Sequence, residues 1–412
     1  MQMLIKNAQL RGTSALTDIA IDGETIVRLG TGLDIAADRV IDVQGALVTE
    51  PMIDPHIHHD KVNVFEKVPK NESGNLFEAI EGWRDYKSKC PPSDIVERGS
   101  VTVDRAIASG TLFSRSHVDV DSYGKLKPME GVLALKEKYR GVMDIQVVAF
   151  PQEGIVKDPE SASLLEAALQ MGADVLGGMP ANEVCPDDSR TQVKKLFDLA
   201  EKYGVDVDMH VDETDDPFFR TLEMIADEAI ARGYTGHRVT AGHTCALAAY
   251  DDHYARYVID KVARAEMNIV TNPLSNLMLQ GRDDKQPIRR GITRVKELLA
   301  AGVNVTIGED NLNDMFNPLG DANMLLTANI LTHAAQMTLP REIETVYDMI
   351  TFGAARVLGL VDYGIREGNP ANLIVLNARD VRTALRQLSE CLYVIRGGKV
   401  VSETSVNRRL SI

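Results

Sequence analysis

Six side chains able to bind metal or move protons, His56, His58, His210, Glu213, His243 and Asp310, each stand at the end of an apolar run that reads as a β-strand. The first two lie in Met52-Ile53-Asp54-Pro55-His56-Ile57-His58. Strand side chains alternate faces, so residues two apart point the same way and both imidazoles can grip one ion. The others follow in Val207-Asp208-Met209-His210-Val211-Asp212-Glu213, Val239-Thr240-Ala241-Gly242-His243 and Val305-Thr306-Ile307-Gly308-Glu309-Asp310. Imidazoles with a carboxylate make a nitrogen and oxygen site suited to Zn(II) or Fe(II), and a position left for water makes such a site catalytic rather than structural. Water on that ion becomes hydroxide near neutrality and can attack an electron-poor ring carbon.

Strands are expected over 47–53, 111–119, 144–150, 174–179, 205–211, 238–242, 267–272 and 303–308, with helical stretches such as Glu160–Met171 and 189–203 between several of them. Eight strands separated by helices predict an α/β fold, a (β/α)8 barrel over residues 51–362, whose active site lies at the C-terminal ends of the strands. The six side chains occupy those ends. Short alternating strands at 3–5, 19–21, 26–29 and 40–43, and again at 371–376 and 393–401, predict a small β-sandwich domain assembled from residues 1–50 and 363–412.

The formal net charge of -15 and the absence of any basic tract exclude recognition of a phosphate backbone, so no nucleic-acid partner is expected. Residues 1–7 lack the apolar core of a signal peptide, and no apolar run is long enough to span a bilayer, so no membrane association and a cytoplasmic location are expected. Cys90, Cys185, Cys245 and Cys391 are too scattered for a disulfide framework and are expected as thiols. They also lack the P-C-x-x-C signature of the cysteine-ligated deaminases, so any metal must be held by nitrogen and oxygen.

The arrangement of HxH after the first barrel strand, His after the fifth and sixth, and Asp after the eighth resembles the amidohydrolase superfamily. The surrounding text is similar to its cytosine deaminase branch. The shared stretches are Pro55-His56-Ile57-His58, Ser73-Gly74-Asn75-Leu76-Phe77-Glu78, His117-Val118-Asp119-Val120, Val148-Ala149-Phe150-Pro151-Gln152-Glu153-Gly154, His210-Val211-Asp212-Glu213, Asn272-Pro273-Leu274 and Arg289-Arg290-Gly291-Ile292-Thr293-Arg294-Val295-Lys296. The resemblance implies one divalent ion held by His56, His58, His210 and Asp310, because the fourth strand carries no lysine to bridge a second. It implies Glu213 as proton shuttle, His243 as the group that stabilises or deprotonates the attacking water, and Asp310 as both ligand and proton acceptor. Leu76 and Phe316 would wall the ring, and homo-oligomers are common in the family.

Gln152 offers one acceptor and two donors, which can match the N–C=O edge of a pyrimidine. Plainer roles stand beside these: loop capping for Gln152, packing for Leu76 and Phe316, and a solvated loop acid for Glu213. His117, His237, His253 and His333 are read as core histidines, and His59 as a support behind the ligands or merely adjacent to the site. Two positions depart from the family pattern: Asn311 replaces a second aspartate near the ring's carbon-5 side, and Glu309 replaces a histidine. The expected reaction is hydrolytic deamination of cytosine or a 5-substituted cytosine such as 5-methylcytosine, with loss of ammonia. Isocytosine, creatinine or an N-alkylated amino-triazine are the nearest alternative substrates; a cyclic-amide hydrolase or a non-catalytic scaffold stand further off.

Overall fold

The computed structural model describes residues 1–411, so the last residue of the expected C-terminal segment 363–412 lies outside the described residues. Five strands open the chain: β1 (Met3–Leu10), β2 (Thr17–Asp22), β3 (Thr25–Gly30), β4 (Arg39–Asp42) and β5 (Leu47–Thr49). Eight more follow, alternating with helices: β6 (Met52–Ile57), β7 (Thr111–Asp119), β8 (Asp144–Phe150), β9 (Val175–Gly178), β10 (Asp206–Val211), β11 (Val239–His243), β12 (Asn268–Thr271) and β13 (Asn304–Ile307). The last three are β14 (Leu373–Leu376), β15 (Cys391–Arg396) and β16 (Lys399–Glu403).

Strands β6 to β13 pair in sequence order, all parallel. A parallel bridge between Ile57 and Asp310 brings the two edges together, and the Asp310 amide donates to the His56 carbonyl at 2.7 Å. The closed sheet is the predicted barrel. Parallel strands buried on both faces favour apolar sequence, which β8 supplies over 147–150 and β12 at Ile269 and Val270, whereas β7 is buried throughout yet carries Ser114, Arg115, Ser116 and His117.

The satellite is built from both ends of the chain. Strand β1 pairs with β2 and β4 in its first half, is irregular between Ile5 and Ala8, and pairs with β5 in its second half. Strand β5 then pairs with β14, which leads to the β15–β16 hairpin. Ile5, Ile19, Ile21, Leu373, Val375 and Ile395 share its apolar core.

The expected strand over 47–53 is two strands in two sheets. Leu47–Thr49 lies in the satellite and Met52–Ile57 in the barrel. Between them Pro51 has no N–H to continue a ladder, and Glu50 is buried against Arg11 at 3.0 Å. The helix expected over 189–203 begins at Pro186, a residue suited to the first helical position. Among the described residues no helix is long and apolar enough to cross a membrane, and all four cysteines are free thiols.

Candidate active site

The barrel axis holds the imidazoles. His56 lies in β6, and two glycines make room for it: a Cβ on Gly242 would meet the His56 ring at 2.7 Å, and one on Gly308 would meet His56 Cβ at 2.6 Å. His58 follows just past the strand end. Its Nδ1 lies 3.0 Å from the His117 carbonyl, which can only accept, so Nδ1 carries the proton and Nε2 turns a lone pair inward. That Nε2 stands 3.1 Å from His210 Nε2 and 3.2 Å from Asp310 Oδ1. His56 Nε2 is 3.4 Å from the same oxygen. His210 ends β10 with its ring stacked on Phe150, centroids 4.1 Å apart.

Among the described residues, both His56 ring nitrogens, His210 Nδ1 and Asp310 Oδ2 are buried without a hydrogen-bond partner. Leaving such groups unpaired is costly, and a cation among them would satisfy several at once. Burial, with the Lys61 charge nearby, pushes His58 down to about 3, and burial with the neighbouring imidazoles pushes His210 well below its ordinary range. Burial raises Asp310, yet His243, His56 and His58 outweigh it and hold the carboxyl well below the usual carboxylate range. Neutral imidazoles and an ionised carboxylate are the donor set a divalent ion requires.

His243 differs from the other three histidines. Its Nδ1 lies 3.2 Å from Glu213 Oε1 and 2.9 Å from the Asn276 side-chain nitrogen, and Asn272 approaches Nε2 at 3.3 Å. Ligand atoms of His56, His210, His243 and Asp310 all lie within 4.8 Å of one another, so His243 is a member of this group, while the expected ligand His58 is not and touches it through His210 and Asp310. His243 and Asp310 sit at φ 68° and 70°, a left-handed backbone conformation uncommon for non-glycine residues.

Glu213 lies past the end of β10 and is 8% exposed, so it is not a solvated loop acid. Burial, and next the Asp310 charge, push its carboxyl well above the usual range. Its neighbour Asp212 turns away to cap the helix Thr221–Arg232 through the Thr221 and Leu222 amides. A cleft of about 570 Å³ opens onto Glu213, lined also by Leu76, Met179, Asn182, Phe219 and Gln280. Leu76 is half-buried and packs with Phe150, Met179 and Phe316, which is itself buried.

Gln152 is buried beside this cleft, its backbone carbonyl accepting from Asn182 at 2.6 Å and its Oε1 from Lys61 at 2.9 Å. Asn311 donates one of its two amide hydrogens to Asp314 Oδ2 at 3.0 Å. Glu309 points away from the cluster, accepting from Thr327 and the Asp321 amide, and burial pushes it up to about 7.

His117 is not a satisfied core histidine. Its ring packs 4.1 Å from that of His56, neither ring nitrogen has a hydrogen-bond partner, and Nε2 faces Asp208 at 3.2 Å. His56, His117 and Asp208 form a second group of ligand type, but Asp208 is already paired with Arg115 at 2.8 Å. His237 is half-buried, whereas His253 and His333 are exposed and neither core nor site. His59 turns to Ser114 and Ser116. Sequence reasoning missed His117, Asp208, Lys61, Asn272 and Asn276 as parts of the site. The two-residue spacing of Asp208 to His210 was a usable signal, the same alternation that joins His56 to His58.

Comparison with known proteins gives the family. The crystal structure of 5-methylcytosine deaminase from Klebsiella pneumoniae liganded with 5-fluorocytosine matches with a TM-score of 0.95 at 38% sequence identity, covering 99% of each chain. N-isopropylammelide isopropyl amidohydrolase of Pseudomonas sp. (strain ADP) is 31% identical over 98% of each chain. Pterin deaminase of Rhizobium rhizogenes (strain K84 / ATCC BAA-868) is 32% identical over 88% of this chain and 82% of its own. The amidohydrolase family model matches residues 39–402. A barrel with this axial cluster, matched by that model over most of its length, belongs to the amidohydrolase family and is a metal-dependent hydrolase of C–N bonds.

Proposed function

We propose that the protein deaminates a cytosine-like ring, cytosine or 5-methylcytosine, releasing ammonia. The observation that carries this reading is the buried contact between Glu213 and His243 beside the histidine cluster. A carboxyl held protonated by burial can give its proton to a ring nitrogen, which deamination needs and simple ligand binding does not.

His56, His58, His210 and Asp310 would hold one Zn(II) or Fe(II), both compatible with this donor set. When bound, the ion supplies Lewis-acid activation of water. Glu213 protonates the ring nitrogen next to the attacked carbon, which moves the double bond's electrons onto nitrogen. As a carboxylate it then takes a proton from the added water and passes it to the amine, which leaves as ammonia. His243, held at Nδ1 by Asn276, would turn its other ring nitrogen to the attacking water and stabilise or deprotonate it. Asp310 takes the first proton of the attacking water on its second oxygen and returns it to Glu213 once ammonia has left, which restores the starting protonation. Gln152 and Phe316 would face the ring, with Leu76 at the entrance and Asn311 near carbon-5.

The relatives favour a second reading, a triazine or pterin substrate, since two of them are named for N-isopropylammelide and pterin. Ammonia or amine release from metal-reconstituted protein across cytosine, 5-methylcytosine, isocytosine, creatinine, N-isopropylammelide and pterin decides between them. Turnover of either cytosine well above the rest supports the first reading; turnover of neither overturns it.

A further inference from the structure

Lys61 is a fully buried lysine in the turn after His58, its amide bonded back to the His58 carbonyl at 3.1 Å. Its Nζ donates to Asp119 Oδ1 at 2.8 Å and to Gln152 Oε1 at 2.9 Å. Asp119 is itself held by the Trp83 indole N–H at 2.9 Å and by Lys87 at 2.8 Å, so the ammonium is anchored from behind. An ammonium has three donors and no acceptor. The Gln152 amide must therefore turn its oxygen toward Lys61, and its nitrogen bonds to no protein group among the described residues. Asn182, which lines the cleft, pins the backbone of Gln152 in place.

We propose that Lys61 is a positioning residue for specificity: it locks the Gln152 amide with its N–H donors toward the ring, so the site selects a heterocycle that presents acceptors on that edge. Within the cytosine-like reading, on which this rests, a 2-oxo-4-aminopyrimidine fits and a 2,4-diaminopyrimidine does not. An amino group at position 2 would set donor against donor and leave both unpaired, and sites built around a hydrogen bond reject such analogues strongly.

The test measures kcat and KM for cytosine and 2,4-diaminopyrimidine with metal-loaded wild type, Lys61→Met and Gln152→Glu, with metal content recorded for each. Wild type should prefer cytosine by at least about 100-fold in kcat/KM. Lys61→Met frees the amide to rotate and should narrow that preference by about tenfold or more, mainly through KM, with metal retained. Gln152→Glu keeps Lys61 paired, which protects the fold, and offers only acceptors; it should invert the preference. A general structural defect would depress both substrates alike. If Lys61→Met does not fold, Gln152→Glu decides. Equal loss for both substrates in Lys61→Met, or a retained cytosine preference in Gln152→Glu, overturns the proposal while leaving the deaminase reading intact. Wild type that turns over neither base overturns the deaminase reading and this proposal with it.

Discussion

Lys87 should be among the costliest side chains to remove that touch neither the ring nor the axial cluster. It projects from the helix Leu76–Lys89, is about 1% exposed, and its Nζ lies 2.8 Å from Asp119, 2.5 Å from Asp121 and 3.9 Å from Glu153. The three acids are matched by Lys61, Lys87 and Arg84, while Asp60, which makes no ion pair among the described residues, is pushed by burial up to about 7. Lys87→Met leaves one acid buried without a counter-charge, a change worth about 3–5 kcal/mol. At about 2.1 cal/mol/K per residue, the 412-residue chain unfolds with roughly 0.9 kcal/mol/K of entropy, so Tm should fall by about 3–6 °C. One acid escapes the penalty by keeping a proton, and Asp121 is already raised by burial. The folded variant then binds one more proton than the unfolded chain. A raised acid stabilises at low pH and loses that stability as pH rises, so the gap to wild type should widen by about 1.4 kcal/mol per pH unit above the ordinary carboxylate range. Denaturant unfolding of the metal-loaded proteins between pH 5 and 8 measures this, with Lys89→Met as control because its pair with Asp85 is exposed. A loss no greater than the control's, or parallel pH curves, refutes the charge-balance reasoning.

His210→Ala and His58→Ala should each lose most bound metal and turnover, and elemental analysis of wild type should give one ion per chain; two tightly held ions would contradict the pairing of Asp208 with Arg115 as the reason for a single site. Glu213→Gln should keep its metal while turnover falls by at least about 100-fold, whereas loss of metal would assign Glu213 a structural role. Asn311→Asp should lower the kcat/KM ratio of 5-methylcytosine to cytosine by about 10- to 200-fold with metal retained, because a carboxylate beside carbon-5 raises the cost of burying a methyl there. An unchanged ratio in that variant would remove Asn311 from the specificity argument.

The barrel was legible because apolar runs ending in His210, His243 and Asp310 recur at the spacing of βα units. It failed at 47–53, where two short apolar runs were read as one strand although Glu50-Pro51 interrupts them and marks the change of sheet. The axial cluster was legible where its members close a strand. It was hidden where they lie inside one, as with His117 and Asp208, since a polar residue in an apolar strand reads as an isolated core exception. Lys61, Lys87 and Asp119 were illegible for another reason. Their meaning lies in one another, and they come from a turn, a helix and a strand whose meeting only the folded barrel defines.

The pairing of β5 with β14, Val48 beside Val375, has a consequence for synthesis. The first five strands leave the ribosome with one edge of β5 bare, and its partner emerges only after the whole barrel has been translated. At about 5–20 residues per second that interval is roughly 15–60 s. A bare edge is a template for a strand from another nascent chain, and pairing across so long a stretch is slow to form. Damage to β14 should therefore register first as a lower yield of folded protein, while the molecules that do fold turn over normally.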